Sequence, residues 1–224
     1  MTIPRRVRVQ TVLVAQPATV MIGSKATKTG IRKQPQPGRV DVLPAGLIGD
    51  HVLNVRHHGG PDQAVYVYTQ PDLDAWTASL GTAPQPGAFG ENVVLDALES
   101  ADLSIGDRLE FMTPDGTPGL SLEVTAPRIP CATLAANVGD PDFVKRFTQM
   151  RRPGAYLRVL RAGAIGAGDV AALRPGPPGA PTIGDLFDLW YDRHPSREFL
   201  TSLLAYPLAV RFRRNVEERL ARQR

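Results

Sequence analysis

The sequence predicts a mostly β, α+β protein: a barrel or folded-over sheet with inserted helices, followed by a small C-terminal segment of three helices. Three observations predict it. The 21 Gly and 21 Pro in 224 residues are too many for a chain of long helices and suit short strands joined by turns. Nine short runs with strand character recur between those turns. Beyond "RPGPPGAP" (174 to 181) the apolar pattern takes on helical spacing.

The strand-like runs are 6 to 15, 38 to 43, 51 to 56, 64 to 69, 91 to 95, 107 to 112, 120 to 126, 155 to 161 and 169 to 173. The first has a positive head, but its apolar stretch is broken by Gln16 and Pro17 and lacks an A-x-A-like site, so it reads as a strand rather than a secretory leader. Two helices interrupt the series. One covers 71 to 80, with Leu73, Trp76 and Leu80 on one face and Gly81 as its stop; the other covers 141 to 150, with Asp140 as N-cap and Pro141 at its first position. Four prolines and two glycines in 174 to 181 form a stiff linker. Three helices follow: 182 to 192, capped by Thr182 and carrying Ile183, Leu186 and Trp190; 196 to 205, with Phe199, Leu200, Leu203 and Leu204; and 207 to 222, with Leu208, Phe212, Val216 and Leu220 at every fourth position. The expected division is a barrel domain (1–174), a linker (175–181) and a helical segment (182–224) that is marginal alone and packs on the barrel or on a second subunit.

Composition excludes several classes. Hydrophobic residues at 42% argue against disorder, and the net charge of +4 is scattered, without the basic stripe and interleaved aromatics of a nucleic-acid surface. The basicity favours small anionic ligands. One Cys cannot form an internal disulfide, a Cys-rich zinc site or an ordinary iron–sulfur cluster. No apolar run approaches 18 residues, so no membrane helix is expected and cytoplasm is the default compartment.

Four stretches carry candidate chemistry. "VRHHGGPDQAVYVY" sets His57 and His58 in a tight loop before a strand; adjacent side chains on a strand diverge, which argues against joint zinc ligation. Its plainer reading is two His and Asp62 bonding a turn. "PGAFGENVV" (86 to 94) surrounds Phe89 with small residues, Gly90 among them, and offers Asn92 as donor and acceptor for a heterocycle, although alone it reads as a hairpin corner. "KATKTGIRKQP" (25 to 35) gathers Lys25, Lys28, Arg32 and Lys33 around Thr29 and Gly30, suited to a phosphate or merely solvated, without P-loop spacing. "TAPRIPCATL" (125 to 134) places Cys131 after Pro130 and near Arg128, with a short helix-compatible run behind it. A lone Cys is commonly a small buried hydrophobe, but here a partly exposed thiolate fits, a soft ligand for molybdenum, copper(I) or a persulfide sulfur. The G-x-G-x-x-A match in "GAIGAGDVA" (163 to 171) has Pro175 where a dinucleotide fold needs its helix, so it reads as a hairpin turn. No G-x-S-x-G elbow supports a serine hydrolase.

Taken in order, "KTGI", "GLIGDHVLNVRHHGGPDQAVYVY", "GAFGENV", "IGDRL", "PRIPC" and "GAYLRVLRAGAIGAGD" resemble the MOSC family, the molybdenum cofactor sulfurase C-terminal domain, from about residue 28 to residue 170. The trailing helices resemble the C-terminal region of stand-alone bacterial YiiM-type members. The resemblance implies a MOSC-type β-barrel, a bound molybdenum cofactor (molybdopterin) and reduction of N-hydroxylated compounds such as hydroxylaminopurines to amines, with pyridoxal phosphate as a further candidate ligand. It assigns Cys131 to the metal, Lys28, Thr29 and Arg32 to the cofactor phosphate, and His57, Asp62 and Asn92 to pterin or substrate. Phe89 and Gly90 belong to the same binding loops, Arg128 is a charge partner of the thiolate, and His57 or His58 is the proton donor. Gln63 stands where many members carry Lys. With no cluster and no flavin fingerprint, electrons are expected from a separate flavin or iron–sulfur protein. The C-terminal helices offer a dock for it, while packing or homodimerisation explains them equally well. Two alternatives stay open: a persulfide carrier using Cys131, and a non-catalytic cofactor-binding module.

Overall fold

The structure, a computed structural model, describes residues 5–54 and 58–223. Among them the strands are β1 (Arg5–Val14), β2 (Ala18–Ile22), β3 (Lys25–Thr29), β4 (Gln34–Pro35), β5 (Val40–Leu43), β6 (Gly46–Leu47), β7 (Val65–Thr69), β8 (Val93–Leu95), β9 (Arg108–Met112), β10 (Pro118–Pro127), β11 (Ala155–Arg161), β12 (Gly163–Ile165) and β13 (Val170–Arg174). The helices are α1 (Gln70–Leu80), α2 (Ala132–Val138), α3 (Phe143–Met150), α4 (Ile183–Tyr191), α5 (Arg197–Leu203) and α6 (Val210–Arg222).

Seven strands close a barrel in the order β13-β9-β10-β11-β7-β8-β1, with β1 returning to β13 from Arg5↔Leu173 to Arg8↔Val170. Closure leaves neither a first nor a last strand unpaired. All neighbours are antiparallel except β7 and β8, which run parallel from Val67↔Val93 to Thr69↔Leu95. A parallel pair cannot be joined by a tight turn, so the chain leaves the barrel after β7 and returns to β8 through α1 and the 81–92 loop. Outside the barrel, β5 pairs with β6 and β12, and β2 with β3.

The "VYVY" run in β7 shows how the sequence builds two cores. Val65 and Val67 face the barrel interior, while Tyr66 and Tyr68 turn outward into a separate cluster with Trp76, Phe89, Phe143 and Phe147. Both faces are thereby covered, and every residue of β7 is buried. The polar ends in the second cluster are satisfied: Trp76 Nε1 donates to Tyr68 Oη at 2.7 Å, and Tyr68 Oη donates to the Arg152 carbonyl at 2.6 Å.

The C-terminal helices share the barrel's apolar cluster through Ile183, Leu186, Leu200, Leu203, Phe212 and Val216. Thr182 and Asp185 form a reciprocal capping box at the start of α4. The Pro/Gly segment before it is hooked to the barrel: Gly176 N donates to Asp107 Oδ1 at 2.7 Å, and Ile105 N to the Pro181 carbonyl at 2.9 Å.

Four expectations need correction. Residues 51–54 form no strand; they are an irregular wall of the cleft described below, and 55–56 lie outside the described residues. The second inserted helix begins at Phe143 with Asp142, not Asp140, at the N-cap, because Asp140 instead accepts the Asp142 amide at 2.9 Å. The segment around 163–171 is not a hairpin, since β12 pairs with β5 whereas β13 pairs with β1 and β9. The 86–94 stretch likewise ends the crossover into β8 rather than turning a hairpin. The short elements β2, β3, β4, β6, β12 and α2 were not delimited by sequence patterning.

Candidate functional site

Loops from five parts of the chain meet around one cleft: 29–33, 51–54, 58–66, 90–92 and 128–133, with Tyr156 from β11 closing one side. Close backbone approach makes this convergence workable. A Cβ on Gly30 would lie 1.6 Å from the His51 carbonyl oxygen, so only glycine lets the first two loops touch. Gly90 has φ +79° and faces Ile31 and the Arg128 guanidinium, a conformation and a space that exclude larger residues. The space between the walls, counting the open mouth, is about 620 Å³.

Buried charge holds the floor together. Lys33 Nζ is ion-paired with Asp50, both side chains almost fully buried. Asp50 also accepts the Ala15 amide at 2.8 Å and the Asn92 Nδ2–H at 2.9 Å. Burial pushes the Lys33 ammonium below its ordinary pKa, opposed by the attraction of Asp50. Glu91 stabilises the neighbouring loop by accepting the Gly87 and Phe89 amides at 2.6 and 3.0 Å. Its burial nevertheless raises it above the usual carboxylate range.

At the other end Cys131 is the N-cap residue of α2, and its side chain makes no capping bond. The sulfur is half-buried and lies 3.7 Å from His58 Nε2. The opposite ring nitrogen, Nδ1, is 3.1 Å from Tyr156 Oη. Burial raises Tyr156, so it stays a neutral phenol with a proton available to that nitrogen. Arg128 is buried beside them, donates to the Phe89 carbonyl and sits 5.2 Å from the Tyr66 ring centre. Burial works against its charge, but Tyr156, Tyr66 and Cys131 more than compensate and hold the guanidinium above its ordinary value. Its Nε is buried without a protein acceptor. An orphaned cationic donor beside a soft sulfur suits an anionic, metal-bearing group. Among the described residues no three His, Cys, Asp or Glu side chains converge as metal ligands, so the protein offers this cleft a single thiol donor.

The cleft therefore brings together Thr29, His58, Gly90, Asn92, Arg128 and Cys131 of the residues expected from sequence. Others are placed elsewhere. Lys28 is exposed on β3 and does not line the cleft. Arg32 turns to Asn137 Oδ1 at 3.1 Å and borders a neighbouring cleft. Phe89 puts its ring into the aromatic cluster and offers only its carbonyl. Asp62 is occupied by the Val210 amide at 2.8 Å and Arg158 at 3.2 Å, so it braces α6 rather than a ligand. Asn92 borders the cleft, but its amide is spent on Tyr66 N, the Leu13 carbonyl and Asp50. His57 lies outside the described residues. Lys33, expected in a phosphate-binding loop, is instead paired with Asp50 in the floor. Asp50, Tyr66 and Tyr156 carry no signal in the sequence reading; the Tyr66↔Tyr156 pair across β7 and β11 becomes visible only with the strand register.

Comparison with known proteins places this geometry. The MOSC domain family model matches residues 54–172. The chain is 32% identical over 153 residues to the uncharacterized protein YflK of Bacillus subtilis, covering 68% of this chain and 66% of that one. It is 32% identical over 163 residues to a protein named "Reductase" from Gibberella moniliformis, covering 70% of this chain and 28% of that one. It is 28% identical to Protein YiiM of Escherichia coli, covering 62% and 61%. The chain thus spans less than two thirds of each of these curated relatives. The crystal structure of YiiM from Geobacillus stearothermophilus superposes with a TM-score of 0.77 at 26% identity, covering 96% of this chain and 99% of that one. YiiM from Escherichia coli gives 0.75 at 19% identity over 99% and 95%, a likeness of fold. With this family model matched over more than half of its length and a closed seven-stranded barrel, the chain belongs to the MOSC domain family.

Proposed function

We propose that this protein is a molybdenum-cofactor-dependent reductase of N-hydroxylated compounds, hydroxylaminopurine-type bases among them, with Cys131 ligating the metal. The observation that carries the reading is the Cys131–His58–Tyr156 series, at 3.7 and 3.1 Å, beside a buried Arg128 with an orphaned Nε. When bound, the cofactor supplies two-electron redox chemistry and two dithiolene sulfurs, so one protein thiolate completes its anchorage.

The chain's own residues do the rest. Cys131 holds the metal end of the cofactor through sulfur. Arg128 places positive charge beside that thiolate and its Nε–H toward an anionic group. Thr29, expected at the cofactor phosphate together with Lys28 and Arg32, lines the cleft, and Arg128 in place of those two supplies its positive charge. Reduction of R–NHOH to R–NH₂ consumes two electrons and two protons and releases water. His58 Nε2–H faces the sulfur and is the proton donor, and the Tyr156 hydroxyl restores a proton at Nδ1. The electrons come from a separate flavin or iron–sulfur protein.

The test is elemental analysis of protein made in cofactor-competent and cofactor-deficient cells, wild type beside Cys131→Ser. Near-stoichiometric molybdenum only in the competent wild type is the expected result. Metal-free wild type carrying a persulfide on Cys131 would replace this reading with a sulfur-carrier one.

A further inference from the structure

His58 is brought to Cys131 by a segment that is soft by composition. Gly59 and Gly60 follow it, both at positive φ (71° and 84°), and two adjacent glycines do little to hold a neighbouring side chain through backbone stiffness. The place of the ring therefore depends on what anchors the segment on either side of the glycines. Upstream, the His58 amide donates to the Asn54 carbonyl at 2.9 Å. Downstream, the 61–63 turn is held by the Asp62 carboxylate, whose Oδ2 accepts the Val210 amide at 2.8 Å and whose Oδ1 pairs with Arg158 at 3.2 Å.

That carboxylate serves a helix from which it is distant in sequence. Ala209, the residue before α6, makes no side-chain capping bond, so Asp62 takes the first N–H of this 13-residue helix and sets negative charge at its positive end. Two more residues close the junction. Arg158 NH2 also donates to the Pro207 and Leu208 carbonyls at 3.0 and 3.1 Å. Thr125 Oγ1 lies 2.6 Å from the Asp62 carbonyl oxygen and 3.0 Å from that of Tyr156, and the Thr125 carbonyl accepts the Ala209 amide at 3.0 Å. Arg158 stands two positions after Tyr156 on β11, so both side chains leave the strand on one face. Tyr156 reaches His58 and Arg158 reaches Asp62, so β11 meets the 58–62 segment at both of its ends.

We propose that Asp62 is a positioning residue through which the C-terminal helices hold His58 against Cys131 and Tyr156. The carboxylate ties the turn after the two glycines to the start of α6, and the His58 ring stays within reach of the sulfur because that end of its segment is fixed. The positioning stands on this junction alone; only the proton delivery that His58 then performs rests on the reductase reading above. The helical segment is in this way a working part of the barrel's site.

The readout is the NMR cross-peak between the His58 and Tyr156 rings in the full chain without cofactor, with the His58 signal assigned through His58→Gln. Asp62→Ala is expected to abolish it, while Asp62→Asn, which keeps an oxygen for the Val210 amide, retains it. Val210→Pro serves where Asp62→Ala fails to fold. Position 210 is the first of α6, where proline costs no intrahelical bond; Ala209 already has the extended backbone that precedes a proline (φ −57°, ψ 138°), and Val210 is 60% exposed. That substitution deletes the amide that Asp62 accepts and should weaken the cross-peak while circular dichroism shows the helix content unchanged. A cross-peak of wild-type strength in Asp62→Ala, or in Val210→Pro where only that variant folds, overturns the proposal. In molybdenum-loaded protein Asp62→Ala is expected to lower kcat about tenfold, a part of what a general acid contributes, and to cost nothing further in a His58→Gln background. Equal losses in both backgrounds overturn it. The two readings fail separately: a cross-peak lost in Asp62→Ala of a protein that takes up no molybdenum keeps the positioning and removes the reductase, and loaded, active protein whose cross-peak ignores Asp62 does the reverse.

Discussion

Lys33 and Asp50 illustrate how much a single residue's role depends on what covers it. Their side chains are 5% and 6% exposed, and the pair ties the 29–33 loop to the 50–54 wall and, through Asn92, to the start of β8. Removing one partner leaves the other charged and desolvated. Lys33→Met is therefore expected to destabilise the protein by about 3–5 kcal/mol, read from urea unfolding. Combining it with Asp50→Asn, which keeps an acceptor for the Ala15 amide, should recover most of that loss; a double variant as weak as the single one would show that the pair is not what holds the loops. The sequence placed Lys33 in a cationic loop beside Lys28 and Arg32 but could not separate them. Lys28 and Arg32 are exposed while Lys33 is buried, and that difference is made by segments distant in sequence. Cys131, Arg128 and His58 were legible because their chemistry is rare in this chain or dense in one loop. Tyr156 was not, because its partnership with His58 spans 98 positions.

Elements specified by local signals were read well. Thr182 was expected to cap a helix and does, accepting the Asp185 amide at 3.0 Å while Asp185 accepts the Thr182 amide at 2.9 Å. Thr182→Ala should cost about 1 kcal/mol and lower Tm by about 2–4 °C, measured by calorimetry; an unchanged Tm would mean that packing of Ile183 and Leu186 alone sets the start of α4. Gly81 likewise ends α1 in the left-handed region at φ 73°. The strands that escaped notice lack such signals. β4 and β6 are two residues each, and β2 and β3 form a hairpin that buries only Val20, so neither length nor alternation marks them. The barrel strands were visible because their alternation is enforced by burial, which in β7 even distinguishes two different cores.

The whole molecule carries buried carboxylates whose ionisation works against folding. Glu91 and Asp72 are both raised above the usual carboxylate range, chiefly by burial, with hydrogen bonds acting in the opposite sense. The folded chain keeps a proton on such a group at a pH where the unfolded chain has released it. The unfolded state then binds fewer protons, and this contribution to stability falls as pH rises from the ordinary carboxylate value through the raised one. Glu91→Gln removes one such term. The difference in unfolding free energy between wild type and Glu91→Gln should move in favour of the variant across that window and stay level at higher pH; a difference independent of pH would mean that Glu91 titrates as it does in the unfolded chain. No helix among the described residues is long and apolar enough to cross a membrane.

The lone parallel pairing in the barrel has one more consequence. Because β7 and β8 run side by side in the same direction, the excursion between them sits outside the ladder and can lengthen or shorten at its exposed 82–86 tip without altering any strand's register. That detour ends in Gly90 and Asn92, which line the cleft beside Arg128 and Cys131. Descendants of this scaffold are thus free to remodel which molecules they admit by editing one surface bend, leaving the closed cylinder of backbone bonds untouched.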